Sequence, residues 1–287
     1  MEWVRGNGVL SMVTSIRDVL AWIHFINKVV VGEGLKVGEA ILQGARLVWL
    51  DGLQADGGAA NPAAVATFQE LCVKKLQTLT GCTMSTTTPQ MIEDSERLSV
   101  PPFSIAKRKG CIGEAAKYIF ATQTTTVNVQ KILRALQIAK PVLLEGSPGI
   151  GKTSLVEALA RRIGQPVVRI NLSDQTDIGD LFGSDLPVEG GAVGQFAWRN
   201  GPFLDALSHG AWILLDELNL ASQSVLEGLN AVFDHRGEVY IPGRKIKEFL
   251  NEIMDMQEFS LIINHPIICI DFDAQKLNCD KLHFITI

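Results

Sequence analysis

Residues 146–153 read Gly-Ser-Pro-Gly-Ile-Gly-Lys-Thr, which fits the spacing G-x-x-x-x-G-K-[ST]. In a loop of that pattern, backbone N–H groups wrap phosphate oxygens, the lysine reaches the β- and γ-phosphates, and the final hydroxyl is available to Mg²⁺. The candidate nucleotide-binding residues are therefore Gly146, Ser147, Pro148, Gly149, Ile150, Gly151, Lys152, Thr153 and Ser154. Some sixty residues later an apolar run, Trp212-Ile-Leu-Leu215, ends in Asp216 and Glu217. Transfer of a phosphoryl group to water needs charge neutralisation on the phosphates and an oriented nucleophile. Lys152 is the natural counter-charge, Thr153 and Asp216 are the candidate metal ligands, and Glu217 is placed to polarise the attacking water. The competing reading of Asp216 and Glu217 is a solvated strand end capping the next helix.

The flanking residues supply the elements that this chemistry requires. Residues 141–145 form a short apolar strand candidate entering the loop, and residues 154–163, Ser-Leu-Val-Glu-Ala-Leu-Ala-Arg-Arg-Ile, form a strong helix candidate leaving it. That order aims the helix N-terminus, with its free N–H groups and positive dipole end, at the bound phosphates. Further strands are expected at 166–170 and 212–215, and amphipathic helices at 128–139 and 222–233. Alternating helices and strands argue for a parallel sheet covered on both faces, with ligands at the carboxyl ends of its strands. A Gly-rich stretch at 189–194 joins two short runs and reads as a hairpin inserted in this core.

The first eighty residues have a different pattern. In residues 15–31, apolar side chains recur at Ile16, Val19, Leu20, Ile23, Ile26 and Val30, with Trp22 and Phe25 beside the stripe. Residues 36–50 and 62–79 repeat the helical reading, the latter opening on Asn61-Pro62, a cap residue followed by a first-turn proline. Residues 1–79 are thus expected to form a small helical bundle. Residues 80–126 turn to Ser, Thr and Pro and read as a connector, 127–242 as the α/β core, and 243–287 as a divergent tail.

Composition sets bounds on all of this. A chain of 287 residues, 47% hydrophobic and 20% charged, can hold one large or two modest globular domains. A formal net charge of −5 offers no basic field, so direct contact with nucleic acid is not expected. Five cysteines without a C-x-x-C pair read as reduced thiols, and five histidines without ligand spacing read as structural or solvated. No apolar run is long enough to span a bilayer, and Arg17 interrupts the N-terminal segment nearest in character to a signal peptide. The sequence has no N-K-x-D to read guanine and no L-S-G-G-Q transporter signature.

These stretches together resemble a known family. PVLLEGSPGIGKTSLVEALA, RINLSDQTDIGDLFGSDLPVEGG, QFAWRNGPF and ILLDELNLASQSVLEGLNAVFDHRGEVYIP, spread over roughly residues 124–242, resemble a module of the midasin family of dynein-related AAA+ ATPases. The resemblance implies an AAA+ P-loop NTPase core preceded by a small all-α bundle, ATP and Mg²⁺ as cofactors, residues 146–153 as Walker A, and Asp216 and Glu217 as Walker B. Ser15-Ile-Arg-Asp-Val-Leu-Ala-Trp22 is similar to the start of an AAA+ lid helix, which would make Arg17 the sensor 2 arginine of a preceding module. The alternative for Arg17 is an exposed helical arginine. If the lid belongs to a preceding module, contacts between residues 1–79 and the core are expected.

The family further implies partners and a place. It works as a ring of AAA+ modules in one polypeptide that remodels pre-60S ribosomal particles by pulling off assembly factors, in the nucleolus and nucleoplasm. Partners would then be the other AAA+ modules of the ring and pre-ribosomal assembly factors, with no direct nucleic acid and no membrane. After Pro242 the likeness stops, and the expected sensor 1 asparagine, arginine finger and second lid are not recognisable. Residues 259–263 are an apolar strand candidate ending at Asn264, near the spacing of sensor 1, against the reading of an unrelated tail. An isolated fragment of this kind is expected to be a weak or inactive ATPase. The alternatives are a non-catalytic nucleotide-binding or interaction fragment, and a MoxR-type chaperone ATPase, whose lid would follow the core rather than precede it.

Overall fold

The computed structural model describes residues 15–52, 62–82, 89–108, 118–120, 122–138, 140–188, 194–233, 240–241, 244–245, 267–270 and 283–286. Its centre is a five-stranded parallel sheet in the order β12-β4-β11-β8-β5. The strands are β4 (Val142–Glu145), β5 (Val167–Asn171), β8 (Trp212–Asp216), β11 (Ile267–Ile270) and β12 (His283–Thr286), while β9 (Tyr240–Ile241) and β10 (Arg244–Lys245) form a separate antiparallel pair. Side chains alternate faces along a strand, and the sheet separates two cores accordingly. Val142, Leu144, Trp212, Leu214 and Ile268 enter one core, while Leu143, Ile170, Ile213 and Leu215 enter the other. Every residue of β8 is buried, as expected for a strand covered on both faces.

On the second face pack α6 (Ile178–Phe182), α7 (Pro202–Ser208) and α8 (Gln223–Phe233), with Phe182 and Phe203 meeting edge to face at 5.1 Å. The hairpin expected around residues 189–194 is present as β6 (Gly183–Pro187) paired antiparallel with β7 (Phe196–Asn200). Gly183 anchors its base, because a Cβ there would stand 2.2 Å from the Arg199 carbonyl oxygen.

The first face carries α4 (Gln123–Ala135), α5 (Lys152–Arg162) and the bundle formed by α1 (Ile16–Gly32) and α2 (Val37–Ala45), onto which α3 (Pro62–Thr80) packs through a separate cluster of Val65, Phe68 and Cys72 with Leu50. Helix α2 runs on as a π-helical turn, Arg46–Leu50. Helix α1 opens on a capping box in which the Ser15 hydroxyl accepts from the Asp18 N–H and the Asp18 carboxylate accepts from the Ser15 N–H. Helix α4 begins earlier than the expected 128–139, because Thr122 caps it by accepting from the Thr125 N–H.

Residues expected to be a plain connector are instead folded. Strands β1 (Ile92–Glu93), β2 (Arg97–Val100) and β3 (Phe103–Ala106) form a small antiparallel sheet, and Leu98, Val100 and Phe103 are fully buried in the core shared by the bundle and the large sheet. The polar composition misleads here because Asp94 uses its carboxylate to cap the β1–β2 turn, accepting from the N–H groups of Glu96 and Arg97, while the apolar residues that matter number only a few. Phe25 of α1 meets Phe103 edge to face at 6.1 Å, Arg134 of α4 is buried between Gln43 and Asp51 of the bundle, and Ser104 donates to Glu33. The contacts expected between residues 1–79 and the core are therefore present, some direct, through Arg134, and some by way of the small sheet.

A second departure concerns the region after Pro242. Strand β11 lies between β4 and β8, paired parallel to both, and β12 adds beyond β4. The sheet that supports the site thus draws two strands from the stretch read as a divergent tail. Asn264 and residues 259–263 lie outside the described residues.

Candidate functional site

The phosphate loop joins β4 to α5. Gly149 and Gly151 have φ of +78° and +91°, left-handed values that favour glycine and allow the tight turns of the loop. A Cβ placed on either residue meets no atom within 4 Å, so the space over the loop is open to a ligand's phosphates. Helix α5 starts at Lys152, and the N–H groups of its first turn have no acceptor within the helix. Lys152 is 4% exposed, and its ammonium donates to the carbonyls of Gly146 at 2.7 Å and Ser147 at 3.2 Å. The charge is thereby held at the base of the cradle.

Asp216 ends β8 at the carboxyl edge of the sheet, beside Asn171 in register on β5. Pairing of β8 with β11, and of β11 with β4, sets this strand end one strand away from the end of β4 from which the loop departs, at the same edge of the sheet. Asp216 is buried, and its Oδ2 lies 3.5 Å from the Thr153 hydroxyl. The two side chains named as metal ligands from sequence are therefore brought together across 63 positions of chain. A hydroxyl beside a buried carboxylate, at the mouth of an amide cradle, is an oxygen-rich setting that suits Mg²⁺.

Glu217 follows directly and is half-buried. It has φ +56° and ψ +42°, the only left-handed non-glycine backbone among the described residues, and its N–H donates to Asp216 Oδ1 at 3.2 Å. A left-handed glutamate costs of order 1 kcal/mol or more, and such strain collects at functional sites. It turns the chain sharply out of β8, so the second carboxylate diverges from the first and stays within reach of solvent. Arg17 stands exposed in the first turn of α1 and makes none of the contacts that build this site.

One residue at the site was not singled out from sequence. Arg169, in the middle of β5, donates from Nε to Asp216 Oδ2 at 3.0 Å and also through Nη2. The signal was present as a lone charge inside Pro166-Val-Val-Arg-Ile170, a cation in an otherwise apolar strand of a sheet whose strand ends carry the acids.

Comparison with known proteins agrees with this geometry. The description "AAA domain (dynein-related subfamily)" matches residues 141–265, and "Midasin AAA+ ATPase lid domain" matches residues 2–51. The first match continues past Pro242 and ends just before β11. Midasin of Dictyostelium discoideum is 44% identical over 249 residues, covering 80% of this chain and 4% of that protein. Midasin of Giardia intestinalis is 37% identical over 263 residues, covering 84% of this chain and 5% of that protein. An uncharacterized protein of Staphylococcus aureus is 32% identical over 130 residues, 45% of this chain and 48% of its own. The chain thus spans about a twentieth of the length of its midasin relatives. With a phosphate loop and acidic strand end joined at one sheet edge, an AAA+ core match behind a midasin lid match, and identity to midasin along most of its length, this chain belongs to the dynein-related AAA+ ATPases as a midasin segment.

Proposed function

We propose that this chain binds ATP with Mg²⁺ between the β4–α5 loop and the end of β8, and that it contributes one nucleotide site to a midasin-like ring that remodels pre-60S ribosomal particles in the nucleus. The observation that carries the reading is the meeting of the Thr153 hydroxyl and the Asp216 carboxylate beside an open glycine cradle. Bound Mg²⁺–ATP supplies the γ-phosphoryl group and the divalent charge that neutralises it. The chain's own residues do the rest. The loop amides and the first turn of α5 bind the phosphates, Lys152 exchanges its carbonyl partners for phosphate oxygens, Thr153 and Asp216 hold the metal, and Glu217 takes a proton from the attacking water.

Residues 16–50 fit as the lid of a preceding module. Helix α1 presents Ile16, Val19, Leu20 and Ile23 outward, at 81%, 37%, 60% and 47% exposure, and nothing among the described residues covers them. Such a face suits the core of the preceding module in the same polypeptide, with the assembly factors engaged by the ring as a whole. The same face favours a second reading, in which the chain acts chiefly by docking on partner modules while its loop serves only to bind nucleotide.

Turnover separates the two. Removing a trans-acting arginine finger costs about 10³–10⁵ in rate, so the purified chain should hydrolyse ATP slowly. Glu217→Gln should lower that residual rate by about 10²–10⁴-fold, the usual contribution of a general base, while leaving nucleotide binding intact. Equal rates from the two proteins would favour the docking reading.

A further inference from the structure

We infer that Arg169 is a latch on the metal-binding carboxylate: it holds Asp216 in the nucleotide-free site and must release it for Mg²⁺ to enter. This inference rests on the nucleotide-binding reading and deepens it, since it concerns what controls the metal at the same site.

The geometry begins with strand register. Arg169 sits opposite Leu214, and Asn171 opposite Asp216, so Arg169 and Asp216 share the sheet face that also carries α5. The arginine stem runs two residues forward along β5 and brings its guanidinium to the end of β8. There Nε and Nη2 both converge on Oδ2. That is the same oxygen that faces the Thr153 hydroxyl, while Oδ1 is occupied by the Glu217 N–H. A guanidinium and a divalent cation placed on one oxygen exclude each other by charge and by volume. They also serve the same need. The Asp216 side chain is 6% exposed, and a buried carboxylate with no cation beside it is costly, so the arginine satisfies it until the metal does.

Asymmetry in burial makes the exchange feasible. The Arg169 side chain is 51% exposed, so its guanidinium can swing into water with little desolvation change, whereas Asp216 cannot move without leaving β8. The latch is weak for the same reason, because half-exposed ion pairs are screened by solvent. Arg169 is thus a positioning residue that sets how much Mg²⁺ the site requires. It does not bear on how tightly the amide cradle holds phosphate.

The test follows binding of a fluorescent ATP analogue, mant-ATP, to the wild-type chain, Arg169→Gln and Arg169→Lys, each titrated with Mg²⁺ and, separately, in EDTA. Arg169→Gln should reach half-saturation at roughly fivefold lower Mg²⁺, the scale of one screened ion pair, with its EDTA affinity unchanged. Arg169→Lys keeps the charge but loses the two-pronged contact, and should fall between. If Arg169→Gln folds poorly, the lysine variant alone still decides, by a smaller downward shift of the Mg²⁺ midpoint. Coincident midpoints, or a higher Mg²⁺ requirement in the variants, would overturn the latch while leaving nucleotide binding standing. Failure of every protein to bind mant-ATP with or without Mg²⁺ would remove the nucleotide site and the latch together.

Discussion

Two parts of the surface stand open for opposite reasons, and the contrast explains what kind of molecule this is. At the sheet edge the opening is polar: the loop glycines, Lys152, the Thr153 hydroxyl and the Asp216 and Glu217 carboxylates all come from this chain, and Thr153 lies 3.5 Å from Asp216. On α1 the opening is apolar. Ile16, Val19, Leu20 and Ile23 follow helical spacing and face outward, while Ala21, Phe25 and Val29 of the same helix are buried. A small ligand fits the first opening, and only more polypeptide fits the second. A chain that spans about a twentieth of its relatives' length is expected to show both. Its candidate nucleotide site is built from strand ends at one sheet edge, whereas α1 carries apolar side chains on two sides, one buried in this core and one exposed.

The contrast is most severely tested at the seam between the two parts. Phe103 joins α1 to the α/β layers through Phe25 and is fully buried, so Phe103→Ala should cost about 3–5 kcal/mol. Because one core is shared, thermal unfolding followed by far-ultraviolet circular dichroism and by tryptophan fluorescence, with Trp22 in the bundle and Trp212 in the sheet, should move down as one coincident transition. Two separate transitions, with only the bundle destabilised, would mean that the lid is an independent body.

At the other end of the scale lies the outward face of α1. The double variant Leu20→Glu with Ile23→Glu should leave the melting temperature nearly unchanged, within about 0.5 kcal/mol, since exposed substitutions with comparable helix propensity rarely matter more. A large loss of stability would show that the face is covered within this chain, and would erase the contrast with the nucleotide edge.

How far the sequence foretold this structure depends on the distance between the cooperating residues. The loop at 146–153, its entering strand and its leaving helix were legible because motif, strand and helix are contiguous. Asp216 and Thr153 could be paired because parallel sheets gather their strand ends at one edge. The amphipathic helix expected at 128–139 does face inward, with Val129, Ile132 and Leu133 fully buried and Leu136 partly so, whereas on α1 the stripe of Ile16, Val19, Leu20 and Ile23 faces outward, since a helix apolar on several sides has no single phase. Arg169 was missed because its partner lies 47 positions away, and a charge in a strand names no partner by itself. The small sheet at 92–106 was hidden by turn-forming polar residues, and β11 and β12 by the short length of their apolar runs, which local pattern alone does not assign to a sheet.

The central claim is that the amide cradle and its lysine hold a nucleotide's phosphates at this sheet edge. The most direct test is equilibrium binding of ATP with Mg²⁺ to the purified chain, compared with Lys152→Ala. Saturable binding by the wild type is expected, with a loss of about 10–100-fold in the variant, the scale of a charge-assisted contact to phosphate, and the fold retained by circular dichroism. Equal affinity in the two proteins, or no saturable binding by a folded wild-type chain, would contradict it.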